Sequence, residues 1–142
     1  MAKLKNKEPA KPVIKKVDRK DGTPSFSMKY LTKDASYRAE RFEKQPAERL
    51  QMLDGLYRLM DQLGNLTWTS WIMRSKKQGG PEKITKEQIK SSIIPKDAEQ
   101  QSFFLSVYFG NSDKYRMIGF RDEDVFYIIG FDLDFSAYHH GS

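Results

Sequence analysis

Apolar and polar residues alternate near both ends of this chain, and between them lies a stretch of helical periodicity. After the turn signal Asp21-Gly22, Phe26, Met28 and Tyr30 alternate with Ser25, Ser27 and Lys29. Period two of this kind predicts a half-buried strand over about 24–31. Residues 34–44 are charged with some aromatics and read as a short helix or an irregular link. Pro46 suits a first helical turn. Behind it Leu50, Leu53, Leu56, Tyr57, Met60 and Leu63 recur every three or four residues, and Gly64-Asn65 supplies a stop. Gly55 inside that helix costs about 1 kcal/mol relative to Ala and marks close packing. A second helix is predicted over 67–74, with Thr67 as its cap and Trp68, Trp71 and Ile72 as its apolar face. The turn between the two is short enough to make a helical hairpin.

Gly79-Gly80-Pro81 breaks the chain again. In the lysine-rich stretch that follows, Thr85 is placed to cap a short helix over 86–91 that Pro95 would end. The last third is the most legible. Runs 103–109, 115–120 and 125–131 are rich in aromatic and β-branched residues, and the links 110–113 and 121–124 have hairpin composition. The third run, apolar on both faces, is expected to be central in the sheet. The order β-α-α-β-β-β predicts an α+β fold, a helical hairpin packed on an antiparallel sheet.

Composition changes this picture mainly through where the charge sits. The net charge is +6 over 142 residues, and residues 1–20 hold eight basic against two acidic side chains, the whole excess. With few sizeable apolar groups, segment 1–22 is expected to be a disordered basic tail ahead of a single domain over 23–142. It reads either as a solubilising tail or as an arm that touches nucleic acid. A basic insertion at about 75–96 adds a local excess within the domain, while the carboxyl-terminal region is acidic. The absence of cysteine excludes disulfides, thiolate metal sites and cysteine nucleophiles, and fits a reducing cytoplasm. No run reads as a signal peptide or membrane span.

Several phrases carry a resemblance. They are Leu66-Thr67-Trp68, Gly80-Pro81-Glu82-Lys83-Ile84, Ile89-Lys90 with Pro95, and Tyr115-Arg116-Met117-Ile118-Gly119-Phe120-Arg121. The last is Val125-Phe126-Tyr127 running to Tyr138-His139-His140-Gly141. With the element order, they make residues 24–142 resemble the RelE/ParE-like toxin superfamily. Within it they are similar to an incompletely characterised bacterial and mycoplasmal family of this size. The resemblance implies a RelE-like fold and a place in a toxin–antitoxin system, with a cognate antitoxin as partner. It implies an endoribonuclease activity that acts on ribosome-bound mRNA without a metal or other cofactor. It also sets Arg116 where such nucleases carry a phosphate-binding arginine. The insertion over 79–95 and the acids Asp132 and Asp134 behind the last strand are additions to that pattern.

Transesterification of RNA needs a proton acceptor, a proton donor and positive charge at the phosphorane. His139 and His140, the only histidines, suit the proton roles. Tyr138 is placed to donate to phosphate or stack on a base. Arg116 with Lys83, Lys90 and Arg121 supplies cationic contacts, so the expected catalytic set is His140, Arg116, Tyr138 and His139, and the expected substrate-binding set Lys83, Lys90 and Arg121. Two other readings stay open. One is a non-catalytic module that binds RNA, the ribosome or a protein through tail and insertion. The other is a divalent-metal site at Asp132, Asp134 and His140. Trp68 and Trp71 are expected in the core rather than on a base.

Overall fold

The computed structural model describes residues 22–44, 46–110 and 115–139. The expected tail, apart from Gly22, and His140 lie outside the described residues. The strands are β1 Ser25–Ser27, β2 Glu82–Thr85, β3 Phe103–Tyr108, β4 Arg116–Asp122 and β5 Val125–Asp132, and the helices are α1 Pro46–Leu63 and α2 Trp68–Ile72. The sheet runs β1-β5-β4-β3-β2. The α+β class therefore holds, with two corrections: in place of a helical hairpin there is one main helix, α1, followed by the five-residue α2, and the sheet is not purely antiparallel. The sheet is mixed, because β1 pairs with β5 in parallel while β2, β3, β4 and β5 form antiparallel neighbours. The chain returns to β1 through two hairpin reversals, which leaves β5 pointing the same way as β1.

Strand β1 is shorter than predicted because the chain turns at once, with the Leu31 N–H bonding the Met28 carbonyl at 3.1 Å. The link that follows forms two 3-10 segments, Ala35–Tyr37 and Ala39–Lys44. Strand β2 was not foreseen. Ile84 is its only large apolar residue, so its extended state comes from pairing with the edge of β3, where four residues of each strand are in register. The helix expected over 86–91 is instead a 3-10 turn, Lys86–Gln88. Thr85 does cap it, in a reciprocal box with Gln88.

Two cores flank the sheet. On one face Met52, Leu59 and Leu63 of α1, with Trp68 and Trp71 of α2, pack on Val107, Met117, Phe126 and Ile128. Both tryptophans are fully buried and donate their indole N–H groups, Trp68 to the Asp124 carbonyl at 2.8 Å and Trp71 to the Gly79 carbonyl at 2.7 Å. Thr67 caps α2 as expected. Gly55 marks the closest approach, since a Cβ there would lie 2.4 Å from Gly110 Cα. On the other face Ile84, Phe104, Ile118, Phe120 and Ile129 are covered by Tyr37, Ile89, Ile93, Ala137 and Tyr138. The insertion and the carboxyl-terminal segment thus form a third layer. Strand β5 is interior and covered on both faces, although β4 takes the middle place.

Helix α1 is rotated from its simplest reading. Leu50, Leu53 and Tyr57, part of the predicted apolar stripe, are 70 %, 50 % and 74 % exposed. Met52, Gly55, Leu59 and Leu63 face the sheet instead.

Candidate functional site

Alternation along β3 and β4 divides the expected site residues between the two sheet faces. Lys83 and Arg121 fall on the helical side, and Arg116, Tyr138 and Lys90 on the side covered by the third layer.

On the covered side, Arg116 stands between Tyr108 and Asp132 on the neighbouring strands. It is only 2 % exposed. Its guanidinium lies 4.2 Å from the centre of the Tyr108 ring and 4.0 Å from that of Phe135, and donates to the Tyr108 hydroxyl at 2.7 Å. Asp132 is fully buried and accepts from the Ser136 and Ala137 amides at 3.0 and 2.9 Å. Tyr138 is 5 % exposed and bonds the Ser106 hydroxyl at 2.9 Å and the Glu82 carboxylate at 3.1 Å. Burial pushes its phenol up to about 12, with Glu82 adding to the shift and Ser106 and Arg116 opposing it. At neutral pH it is therefore a fixed donor, held inside the sheet. Arg116 and Tyr138 stand on the same covered face, and the burial of each closes it against an incoming phosphate.

The insertion does fold back onto the carboxyl-terminal segment. Lys90 N–H bonds the Ala137 carbonyl at 3.0 Å, His139 N–H bonds the Gln88 carbonyl at 3.0 Å, and Ile89 bridges Tyr138. Lys90 is brought in by these bonds. Its ammonium donates to the Tyr37 hydroxyl at 3.0 Å, which meets Ser136 Oγ at 3.0 Å; Ser136 donates in turn to Asp134, and Asp134 accepts from Arg41 at 2.9 Å. The Tyr37 bond is the main reason the Lys90 ammonium is held above its ordinary pKa. The exposed His139 side chain lies at the end of this segment. Tyr37, Arg41 and Ser136 carried no sequence signal, because their partners lie about 50 to 100 residues away.

Asp132 and Asp134 are close neighbours joined through Ser136, whose amide bonds Asp132 and whose hydroxyl bonds Asp134, but they differ in exposure: Asp132 is sealed while Asp134 reaches solvent. Among the described residues no three potential ligands gather as a metal site would require.

Asp134 and Asp34 carry a pH dependence. Burial raises Asp134, but bonds from Ser136 and Arg41 outweigh it and leave its pKa lowered; the Ser92 hydroxyl and the Ser36 amide lower Asp34. A carboxyl depressed in the folded state stabilises above its unfolded value of about 3.9 and loses that contribution as pH falls through the folded value. The thermal midpoint is expected to fall below about pH 4, and to fall less steeply in Asp134→Asn. Parallel melting curves for the two proteins between pH 2.5 and 6 would check this; identical acid slopes would refute it.

On the helical side, Lys83 is exposed and its ammonium sits 3.8 Å from the centre of the Phe103 ring, itself 50 % exposed. Continuing the β3–β4 register places Arg121 level with Phe103. The Arg121 guanidinium lies 4.4 Å from the centre of the Trp68 ring, and its Nε donates to the Glu123 carbonyl at 2.7 Å. Farther along that face, a cleft of about 680 Å³ opens between α1 and the 3-10 turn Lys76–Gln78.

Comparison with protein-family models, curated proteins and solved structures gives no match. No helix among the described residues is long and apolar enough to cross a membrane.

Proposed function

We propose that this chain is a RelE-like α+β protein that holds single-stranded RNA, ribosome-bound mRNA included, on the cationic β2 edge of its sheet. The observation that carries the proposal is the Lys83–Phe103 pair. An ammonium poised over a half-exposed ring, on an edge strand open to solvent, offers a phosphate contact and a stacking platform together. Arg121 adds a second cationic group at the same level. The main helix α1, followed by the short α2, on one face of a mostly antiparallel sheet is compatible with the helical hairpin on a sheet that the RelE/ParE resemblance implies. On this reading Arg116 and Tyr138 build the sheet, and binding rather than bond cleavage is the activity.

The test is fluorescence anisotropy with a labelled unstructured RNA across a salt series. Phe103→Ala is expected to weaken binding about 5- to 100-fold, the range for one lost base–aromatic stack. Lys83→Ala should reduce the log–log salt slope by about 0.7, as for one single-strand phosphate contact. Folded variants that bind as tightly as the parent would refute the proposal.

One observation favours a second reading, the metal-independent endoribonuclease. The insertion brings the cationic Lys90 beside the segment that ends in His139. Lys90 and Arg41 would then hold phosphate while His139 or His140 exchanges protons, and a cognate antitoxin would block the site. Cleavage of translated mRNA that disappears in His139→Ala or His140→Ala would favour this reading over binding alone.

A further inference from the structure

We infer that the cleft beside α1 is a subsite for one unpaired base of the bound RNA. This rests on the RNA-binding reading and adds a specificity element to it. The cleft's volume, about 680 Å³, falls in the range of about 300–1,000 Å³ typical of small-ligand sites. Its floor is the contact between Gly55 and Gly110, where the absence of side chains lets helix and strand end meet directly. One wall is a single face of α1, bearing Gln51, Arg58 and Gln62 at helical spacing. The other wall is the turn that carries Lys76, Lys77 and Gln78.

The wall chemistry suits a base flanked by phosphates. Three exposed carboxamides each present an acceptor and two donors, the combination that pairs with the Watson–Crick edge of an unpaired base. Three cationic groups surround them. Arg58 is paired with Asp54 at 2.9 Å and Lys76 with Glu82 at 3.2 Å. Both pairs are solvent-exposed, so exchanging the carboxylate for a phosphate costs little. Among the described residues Asp54 is the one carboxylate on the cleft wall. The cleft is also near the RNA edge, because Gly79 on its lining lies four positions before Lys83, at most about 13 Å of extended chain.

The experiment measures affinities of the full chain for the decamers rA10, rC10 and rU10 at one salt concentration. It compares the parent with Gln51→Ala/Gln62→Ala and with Lys83→Ala. The parent should prefer one decamer by about fivefold or more, as one or two readout hydrogen bonds would give. The double glutamine variant should bind all three about equally, whereas Lys83→Ala should weaken all three while keeping the preference. A third variant, Gln62→Trp, fills the cleft and should also abolish the preference; thermal melts confirm folding of each. Equal affinities in the parent, or a preference that survives both cleft variants, would overturn the subsite and leave the RNA edge standing. If the parent binds no decamer, both the subsite and the RNA reading fall.

Discussion

Asp132→Ala is expected to lower folding stability by about 3–5 kcal/mol, the usual cost of breaking a buried charged arrangement from one side. For a domain of this size that is a fall of about 10–20 °C in thermal midpoint. The carboxylate holds the Ser136 and Ala137 amides, and so fixes the turn that starts the carboxyl-terminal segment. It also stands across from Arg116, whose cation is enclosed by Tyr108 and Phe135. Without Asp132 the amides lose their acceptor and a guanidinium stays desolvated. Replacing both charges together, Arg116→Met with Asp132→Leu, should recover only the part owed to the desolvated guanidinium, because the Ser136 and Ala137 amides still lack their acceptor. Urea unfolding of the three proteins separates these outcomes, and a single-variant loss below about 1 kcal/mol would contradict the buried role. The double variant also bears on function. If the β2 edge binds RNA, the folded double variant keeps its affinity; if Arg116 is a phosphate ligand, it does not.

The second large effect is expected at Gly119. A Cβ there would lie 2.2 Å from the Tyr127 carbonyl oxygen and 2.4 Å from Phe126 Cε1. The β4–β5 register shifts between Ile118 and Gly119, so the strands come together here irregularly. The carbonyl belongs to a paired strand, and the Phe126 ring is stacked on Trp68 at 6.3 Å with Trp71 close by. Neither neighbour has room to retreat. Gly119→Ala is expected to cost about 3–5 kcal/mol, at the severe end for overpacking. Denaturant midpoints measure it directly, and a variant as stable as the parent would show that the sheet relaxes in a way its packing does not suggest.

Much of the architecture was legible in the chain because it rests on local pattern. Helix α1 follows from apolar spacing, α2 from Thr67 and its two tryptophans, and the β3–β5 strands from dense aromatic and β-branched runs. What the pattern could not supply was set by partners distant in sequence. The apolar arc of α1 is wider than the surface the sheet offers, so Leu50, Leu53 and Tyr57 satisfied the helical period yet stayed in solvent. Strand β2 has little strand character of its own and exists because β3 offers it an edge. The candidate site shows the same division. Arg116 and Tyr138 were visible as polar groups near strand ends. Whether they met water depended on Tyr108, Phe135, Ser106 and Glu82, which arrive from three other places in the chain. Lys83 was named as a cationic contact from the sequence, but its aromatic neighbour Phe103 became visible only when strand pairing set the two together.

The two borders of the sheet have a consequence for how these molecules behave when crowded. An unpaired strand is a template on which another chain can grow, and long, flat, apolar borders grow best. Here β1 offers three residues, two of them serines, and β2 offers four with a lysine standing out from it. The most apolar strand, β5, is fenced on each side and roofed on each face. The segment best suited to seeding fibrils is thereby kept out of reach, and the strands left outside are too short and too polar to take its place.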